Sequence, residues 1–337
     1  MKKLIALFLS AMLCMSLFAA CTDTNTDPTD AATDAAGVSQ TDAADEKFVV
    51  GICQLVTHDA LDAATKGFKD AIIAALGEEN VEFLEQNAAG EPNTCVTIAN
   101  DFVSKEVDLI MANGTAALQA AANATLDIPI LGTSITEYGV ALGISDFTGV
   151  VGGNISGTSD LAPLDEQAQM IIDLVPDAKT VGLLYCSAEP NSEYQVKVVR
   201  EYLEGKNLTV KDFAFSASSD VAQVAEAAAA ACDVLYIPTD NTAASCTETI
   251  NNVVLPTGTP IIAGEAGICG GCGIATLSIS YYELGKTTGE MAVKILKGEA
   301  DISTMEIAYD NNPVKQYNQT NCNELNIAIP EGYEPLA

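Results

Sequence analysis

The sequence predicts an α/β protein built of two doubly wound parallel-sheet lobes joined by a multi-crossover hinge. Three observations predict it. From Phe48 onward short apolar runs alternate with amphipathic helical patterns, as parallel strands covered by helices on both faces do. The alternation runs through twice: "VDLIMANGTAALQAAA…IPILGTSIT" is answered by "CDVLYIPTDNTAASCTET…TPIIAGEAG". Each copy has an acid, an apolar strand, a polar turn, an Ala-rich helix, a strand entered through Pro, then a glycine with polar residues. Finally, 337 residues is a length for two domains.

Each element has its own justification. "FVVGIC" is an apolar strand, and "ALDAATKGFKDAIIAAL" places Leu61, Ala64, Phe68, Ile72 and Ala75 on one helical face. Asp59 is the expected N-cap of that helix and Gly77 its stop. "VEFLEQ", "VDLIMAN" and "IPILGT" follow as strands separated by helices. After Pro163 come helix "EQAQMIIDLV", strand "TVGLLYC", helix "SEYQVKVVREYLEG", strand "LTVKDFAF", helix "DVAQVAEAAAAA", and strands "DVLYIP" and "TPIIAG". The glycine-flanked "ICGGC" leads into strand "GIATLSI", and the helix Tyr282 to Lys297 trails two complete lobes, so the chain is expected to cross back onto the first. The expected boundaries are 48–157 for lobe 1, 158–281 for lobe 2, 282–303 for the return to lobe 1, and 304–337 for a C-terminal segment mainly on lobe 2.

Composition narrows the function. With 6% aromatics and no Trp, the cores must be built mainly from Ala, Val, Ile and Leu. A net charge of −31 argues against nucleic acid and anionic lipid headgroups as partners. "MKKLIALFLSAMLCMSLFAAC" has two lysines, an apolar run too short for a bilayer, and small residues before Cys21. It reads as a signal peptide, 1–20, with Cys21 resembling the acylated cysteine of a bacterial lipobox and Phe18 where Leu is commoner. The stretch 21–47 then holds the lipidated Cys21 and a linker, Thr22 to Glu46, with six Asp, one Glu and no basic residue, which predicts a disordered tether to the membrane. Of the other cysteines, Cys53, Cys186 and Cys232 lie in or beside apolar strands, as small hydrophobes do.

A set of segments is familiar. "VGICQLVTHDALDAATKGFKDA", "ILGTSIT", "SGTSDLAPLDEQ", "SAEPNSEYQV", "IPTDNTAAS", "AGEAG" and "YYELGKTTGEMAVKILKGEA" together resemble the substrate-binding lipoproteins of ABC importers, in the family that includes tryptophan- and tyrosine-binding members. The likeness runs in order from about Val50 to Ala300, specific as a set rather than piece by piece. It implies a type I periplasmic-binding fold, closure of a hinge on a ligand, delivery to the transmembrane subunit of an ABC permease, and no catalytic residues. The sequence departs from that pattern at Cys53 and at "ICGGC", which leaves contacts near Cys269 open.

The chemistry of an amino-acid ligand selects the candidate residues. Ligands of such sheets sit beyond the carboxyl ends of the strands, and a buried ammonium requires a carboxylate. Asp240, at the end of "VLYIP", is the expected partner, with helix capping left to Asn241 or Thr242. Glu265 is the second acid. The sole arginine, Arg200, lies mid-helix, so the ligand carboxylate falls to amides and hydroxyls at helix starts: Asn113-Gly114-Thr115, Thr133-Ser134-Ile135-Thr136 and Asn191-Ser192. Gln54, Thr57 and His58 follow the first strand, and Tyr281, Tyr282 and Tyr138 are options for stacking on an aromatic ligand.

No metal or other cofactor is expected, since there is one histidine and no second pair to complete a zinc site with Cys269 and Cys272. Those two read as plain thiols or a local disulfide, and thiol exchange fits a glycine-flanked pair poorly. The expected protein is a monomeric, membrane-anchored receptor on the extracytoplasmic face, binding an aromatic amino acid, tryptophan or tyrosine. The alternatives are a nucleoside or sugar receptor and a surface adhesin on the same scaffold. An enzyme, using the 269–272 pair or hydrolytic, is the remaining class.

Overall fold

The computed structural model describes residues 47–310 and 312–336. The signal peptide, Cys21 and the acidic linker to Glu46 lie outside the described residues. Strand β1 (Phe48–Gln54) leads to helix α1 (Asp59–Leu76), then β2 (Val81–Asn87), α2 (Pro92–Ser104), β3 (Leu109–Asn113), α3 (Thr115–Ala124), β4 (Ile130–Ile135), α4 (Tyr138–Leu142) and β5 (Ile155–Ser159). The second run is α5 (Leu164–Leu174), β6 (Thr180–Cys186), α6 (Pro190–Gly205), β7 (Thr209–Phe215), α7 (Val221–Ala231), β8 (Val234–Ile237), α8 (Asn241–Ala244), α9 (Thr247–Val254), β9 (Ile261–Ala263), α10 (Ala266–Cys272) and β10 (Ala275–Ser278). Then come α11 (Tyr281–Leu296), β11 (Ala308–Tyr309), β12 (Val314–Tyr317), α12 (Gln319–Glu324) and β13 (Glu334–Pro335).

These strands form two sheets, ordered β11-β5-β4-β3-β1-β2 and β13-β12-β10-β9-β8-β6-β7. Pairing is parallel except between β10 and β12. Strands β3 and β4 are buried along their whole length, as apolar central strands covered on both faces must be. Edge strands β2 and β7 instead mix exposed and covered positions. Each sheet is faced by two apolar clusters: Ile110, Phe102 and Leu118 against Phe68, Leu109 and Met111 in the first, and Leu183, Val199 and Tyr236 against Leu235, Ile250 and Ile268 in the second.

The chain passes between the sheets after β5, again between β10 and α11, and a third time between β11 and β12. Such multiple crossovers let two rigid bodies rotate about a shared seam. Helix α11 packs on α1 so closely that backbones touch. A Cβ on Gly285 would lie 1.9 Å from the carbonyl oxygen of Ala64, and one on Gly67 would lie 2.1 Å from that of Tyr282. Two local expectations are corrected. The N-cap of α1 is His58, with Asp59 its first residue, and the buried face of α1 ends at Ile72, Ala75 being exposed.

Candidate functional site

The carboxyl ends of both sheets face each other across a cavity of about 350 Å³. Lobe 1 contributes Leu55 and Val56 after β1, Ala89 to Pro92 after β2, and Thr115, Ala116 and Gln119 of α3. Lobe 2 contributes Cys186 and Ala188 to Asn191 after β6, Ala217 and Ser218 after β7, and Asn241, Thr242 and Ser245 at α8. The walls are aliphatic and polar, and neither lysine, arginine nor an aromatic ring lines the cavity among the described residues.

The four polar residues from Thr239 to Thr242 knit three turns of lobe 2 together. Asp240 caps α8 through the amide of Ala243 at 2.8 Å, which overturns the expectation that Asn241 or Thr242 would do so. Its second oxygen accepts from the Cys186 amide at 2.6 Å and the Ser192 hydroxyl at 2.8 Å. The Thr239 amide donates to Gln195, while Asn241 and Thr242 donate by backbone and side chain to Glu189. Asp240 is 1% exposed, and burial, aided by the nearby Glu189 carboxylate, pushes its carboxyl up to about 8. With both oxygens held by its own lobe, Asp240 organises the rim and does not offer the open carboxylate that the sequence suggested. Glu189, quoted in "SAEPNSEYQV" but assigned no role, is the hub of this turn.

Another buried carboxylate keeps an oxygen without a partner. Asp160, in the first crossover, is 4% exposed and receives the Tyr281 hydroxyl on Oδ2 at 2.9 Å. Its Oδ1 has no hydrogen-bond partner among the described residues. Burial raises its carboxyl to about 6, against the opposing effects of Tyr281, Thr136 and its own amide. The Ser134 hydroxyl, Asn113 Oδ1 and Asn191 Oδ1 are likewise buried without partners. Buried polar atoms in native proteins are almost always paired; these orphans fall at the ends of β3 and β4, in the crossover and at the start of α6, and Thr276 Oγ1 inside β10 is a fifth. Ser134 also holds a φ of +56°, a left-handed conformation rare outside glycine and concentrated at ligand sites.

Comparison with known proteins gives the family and the fold. The family described as ABC transporter substrate binding protein matches residues 49–334. The chain belongs to that family. A protein named tyrosine-binding protein from Clostridioides difficile is 36% identical over 305 residues, covering 89% of this chain and 85% of the relative. The ABC domain from Streptococcus pneumonia in complex with L-Trp superposes with a TM-score of 0.82 at 30% identity, covering 86% of this chain and 100% of that one. The ligand-free, open structure of a substrate binding protein with adhesive properties from Clostridium difficile gives 0.66 at 36% identity, covering 86% of this chain and 99% of that one. The fold is of the type I periplasmic-binding kind.

Within this substrate-binding protein the remaining candidates separate. Thr115, Asn191 and Asn241 line the cavity. Gly114 carries α3 away from β3 with a φ of +100°, and a Cβ there would press on Leu55 at 3.1 Å. Thr133 bonds Thr158, which in turn bonds Thr288 of α11, so this hydroxyl chain ties β4 to the returning helix. Thr136 is buried beside Asp160, and Ser192 is held by Asp240.

Gln54 and Thr57 line a separate groove on lobe 1. Gln54 is fully bonded to Val56, Asp62 and Thr65, and Thr57 receives Asn87. His58 reaches across the seam to Asn241. Glu265 caps α10 through the amides of Gly267 and Ile268, and burial raises its carboxyl to about 7. Tyr138 belongs to the core with Phe147, while Tyr282 bonds Asp70 on the outer face of α1. Arg200 pairs with Asp212 and Glu204, away from the cavity. The eight described cysteines are free thiols, and Cys269 and Cys272 sit on helix α10 rather than in a strand lead-in.

Proposed function

We propose that the protein is the extracytoplasmic receptor of an ABC importer, anchored through a lipid on Cys21 and acting as a monomer. It closes on an aromatic amino acid, tyrosine or tryptophan, and delivers it to the permease. One observation carries the choice of an amino acid: Asp160, in the crossover between the lobes, keeps a buried carboxylate oxygen without a partner, and the interlobe cavity is lined by the acids Glu91 and Glu189 with no lysine or arginine among its described lining. An ammonium group supplies the missing charge and the missing donors together. The aliphatic walls formed by Leu55, Val56, Pro92, Ala188 and Pro190 suit the flat faces of an aromatic side chain, in place of the tyrosine stacking that the sequence suggested. The named relative and the L-Trp complex support the same choice. Among the described residues no helix is long and apolar enough to cross a membrane, which fits anchoring by lipid.

Thermal and chemical denaturation of the mature protein against the amino acids, nucleosides and sugars tests this reading. Tyrosine or tryptophan at a hundredfold over its Kd is expected to stabilise the fold by about 2.7 kcal/mol. Stabilisation by a sugar or nucleoside with none from any amino acid would move the protein to the rival receptor class. A second role in adhesion is favoured by the relative described as having adhesive properties. It predicts that a variant unable to bind solute still adheres to host surfaces.

A further inference from the structure

We propose that His58 and Asn241 form a clasp across the cleft that sets how long the closed form persists, which makes His58 a positioning residue rather than a ligand contact. The proposal rests on the reading of the protein as an amino-acid receptor. His58 occupies the N-cap position of α1, where Ser, Thr, Asp or Asn would normally hold the first free amides. Its side chain makes no cap bond. Instead, Nε2 lies 3.3 Å from Oδ1 of Asn241, at the start of α8 in the other lobe.

The direction of this bond follows from its neighbours. Asn241 Nδ2 donates to Glu189 Oε2 at 2.8 Å, so its Oδ1 is left as an acceptor. His58 Nε2 must therefore carry the proton and donate. Glu189 is in turn held by the amide and hydroxyl of Thr242, which fixes the receiving half of the clasp. The residues next to the clasp meet along the same seam: a Cβ on Gly267 of α10 would stand 3.5 Å from the Cβ of Asp59. His58 does not line the cavity, whereas Asn241 does. Because the two partners sit on different lobes, opening the cleft must part them.

The charged groups facing the imidazole are Asp59 and Asp62 of its own helix and Glu189 from lobe 2. Burial in the closed seam holds the imidazole below its ordinary value, with the Asn241 bond and these carboxylates opposing. In the opened cleft it is solvated and takes up a proton more readily. The clasp is therefore at full strength above the ordinary histidine range, about 6.5, and weakens as pH falls through it.

Stopped-flow release of tyrosine or tryptophan from the mature protein tests the clasp. His58→Ala is expected to release ligand about 3- to 10-fold faster than wild type, with the association rate little changed. His58→Gln, whose amide can donate to Asn241, is expected to restore the slow release at pH 7.5. It should also lack the extra acceleration that wild type shows between pH 7.5 and 5.5. Equal release rates for wild type and His58→Ala, or a His58→Gln profile that tracks wild type, would overturn the clasp. If wild type binds neither amino acid, the receptor reading fails on its own account, and the clasp is decided by NMR. The sequence has a single histidine, so Asn241→Ala must move its Cε1 proton resonance if the two side chains touch. An unmoved resonance refutes the contact.

Discussion

An Asp160→Asn protein is expected to lose amino-acid binding by about 100-fold or more while its ligand-free form becomes more stable at neutral pH. The two effects have one origin. Asp160 is buried with Oδ1 unpartnered, so ionisation is costly until a cation arrives. Its carboxyl is raised from 3.8 to about 6, which corresponds to a destabilisation of about 2–3 kcal/mol at pH 7. The sign follows from linkage. A carboxyl bound more tightly to its proton in the folded state leaves the fold unpenalised below 3.8, and the penalty grows as pH rises, reaching its full size above about 6. The amide of asparagine removes that penalty and still accepts from Tyr281. It cannot neutralise an ammonium, and removing one partner of a buried, hydrogen-bonded charge pair costs about 2–5 kcal/mol of binding.

Calorimetric titration with tyrosine and tryptophan, and denaturation midpoints at pH 7.5 and 4.5, check both halves. The stability gain of the variant is expected at pH 7.5 and should shrink markedly at pH 4.5. Wild-type affinity in the Asp160→Asn protein would return the ammonium to another acid, with Glu265 next in line.

The second large effect is expected at the crossing of α1 and α11. Gly285→Ala sets a methyl 1.9 Å from the Ala64 carbonyl oxygen, and Gly289→Ala sets one 2.5 Å from that of Phe68. No side-chain rotation relieves a contact with backbone, so the helices must separate. The expected cost is about 2–4 kcal/mol, at or above the upper end for overpacked cores. Binding suffers as well, because Tyr281 opens α11 and its hydroxyl holds Asp160. Gly205→Ala at the end of α6 is the control. A Cβ there meets nothing within 4 Å, and the change is expected to be neutral or stabilising by about 0.5–1 kcal/mol. An unchanged denaturation midpoint for Gly285→Ala would refute the close crossing.

Much of the scaffold was written in local pattern. The apolar strands, the amphipathic α1, and the paired "VDLIMAN" and "DVLYIP" segments each carry their own periodicity, and a parallel alternation has few ways to fold. The polar turns after β1, β3, β4, β6 and β8 were recognisable for the same reason, since ligands of such sheets gather at strand ends. Some details failed locally. The two glycines of Cys269-Gly270-Gly271-Cys272 argue against a helix, yet α10 forms there because Glu265 caps it and Ile268, Cys269 and Cys272 are buried in the lobe 2 core.

The sequence by itself determined most of the strands and helices and that two like lobes exist. Only the tertiary structure decided which acid keeps an unpaired oxygen. Asp240 and Asp160 are both buried carboxylates in polar surroundings, and nothing in "PTDN" or "TSDL" tells them apart. The difference is an inventory of donors brought from far along the chain. Cys186 and Ser192 reach Asp240 and satisfy it, while Asp160 receives Tyr281 on one oxygen and nothing on the other. Strand and helix periodicity depends on neighbours a few residues away, whereas satisfaction of these buried charges depends on groups 48 to 121 residues off, which no local pattern encodes.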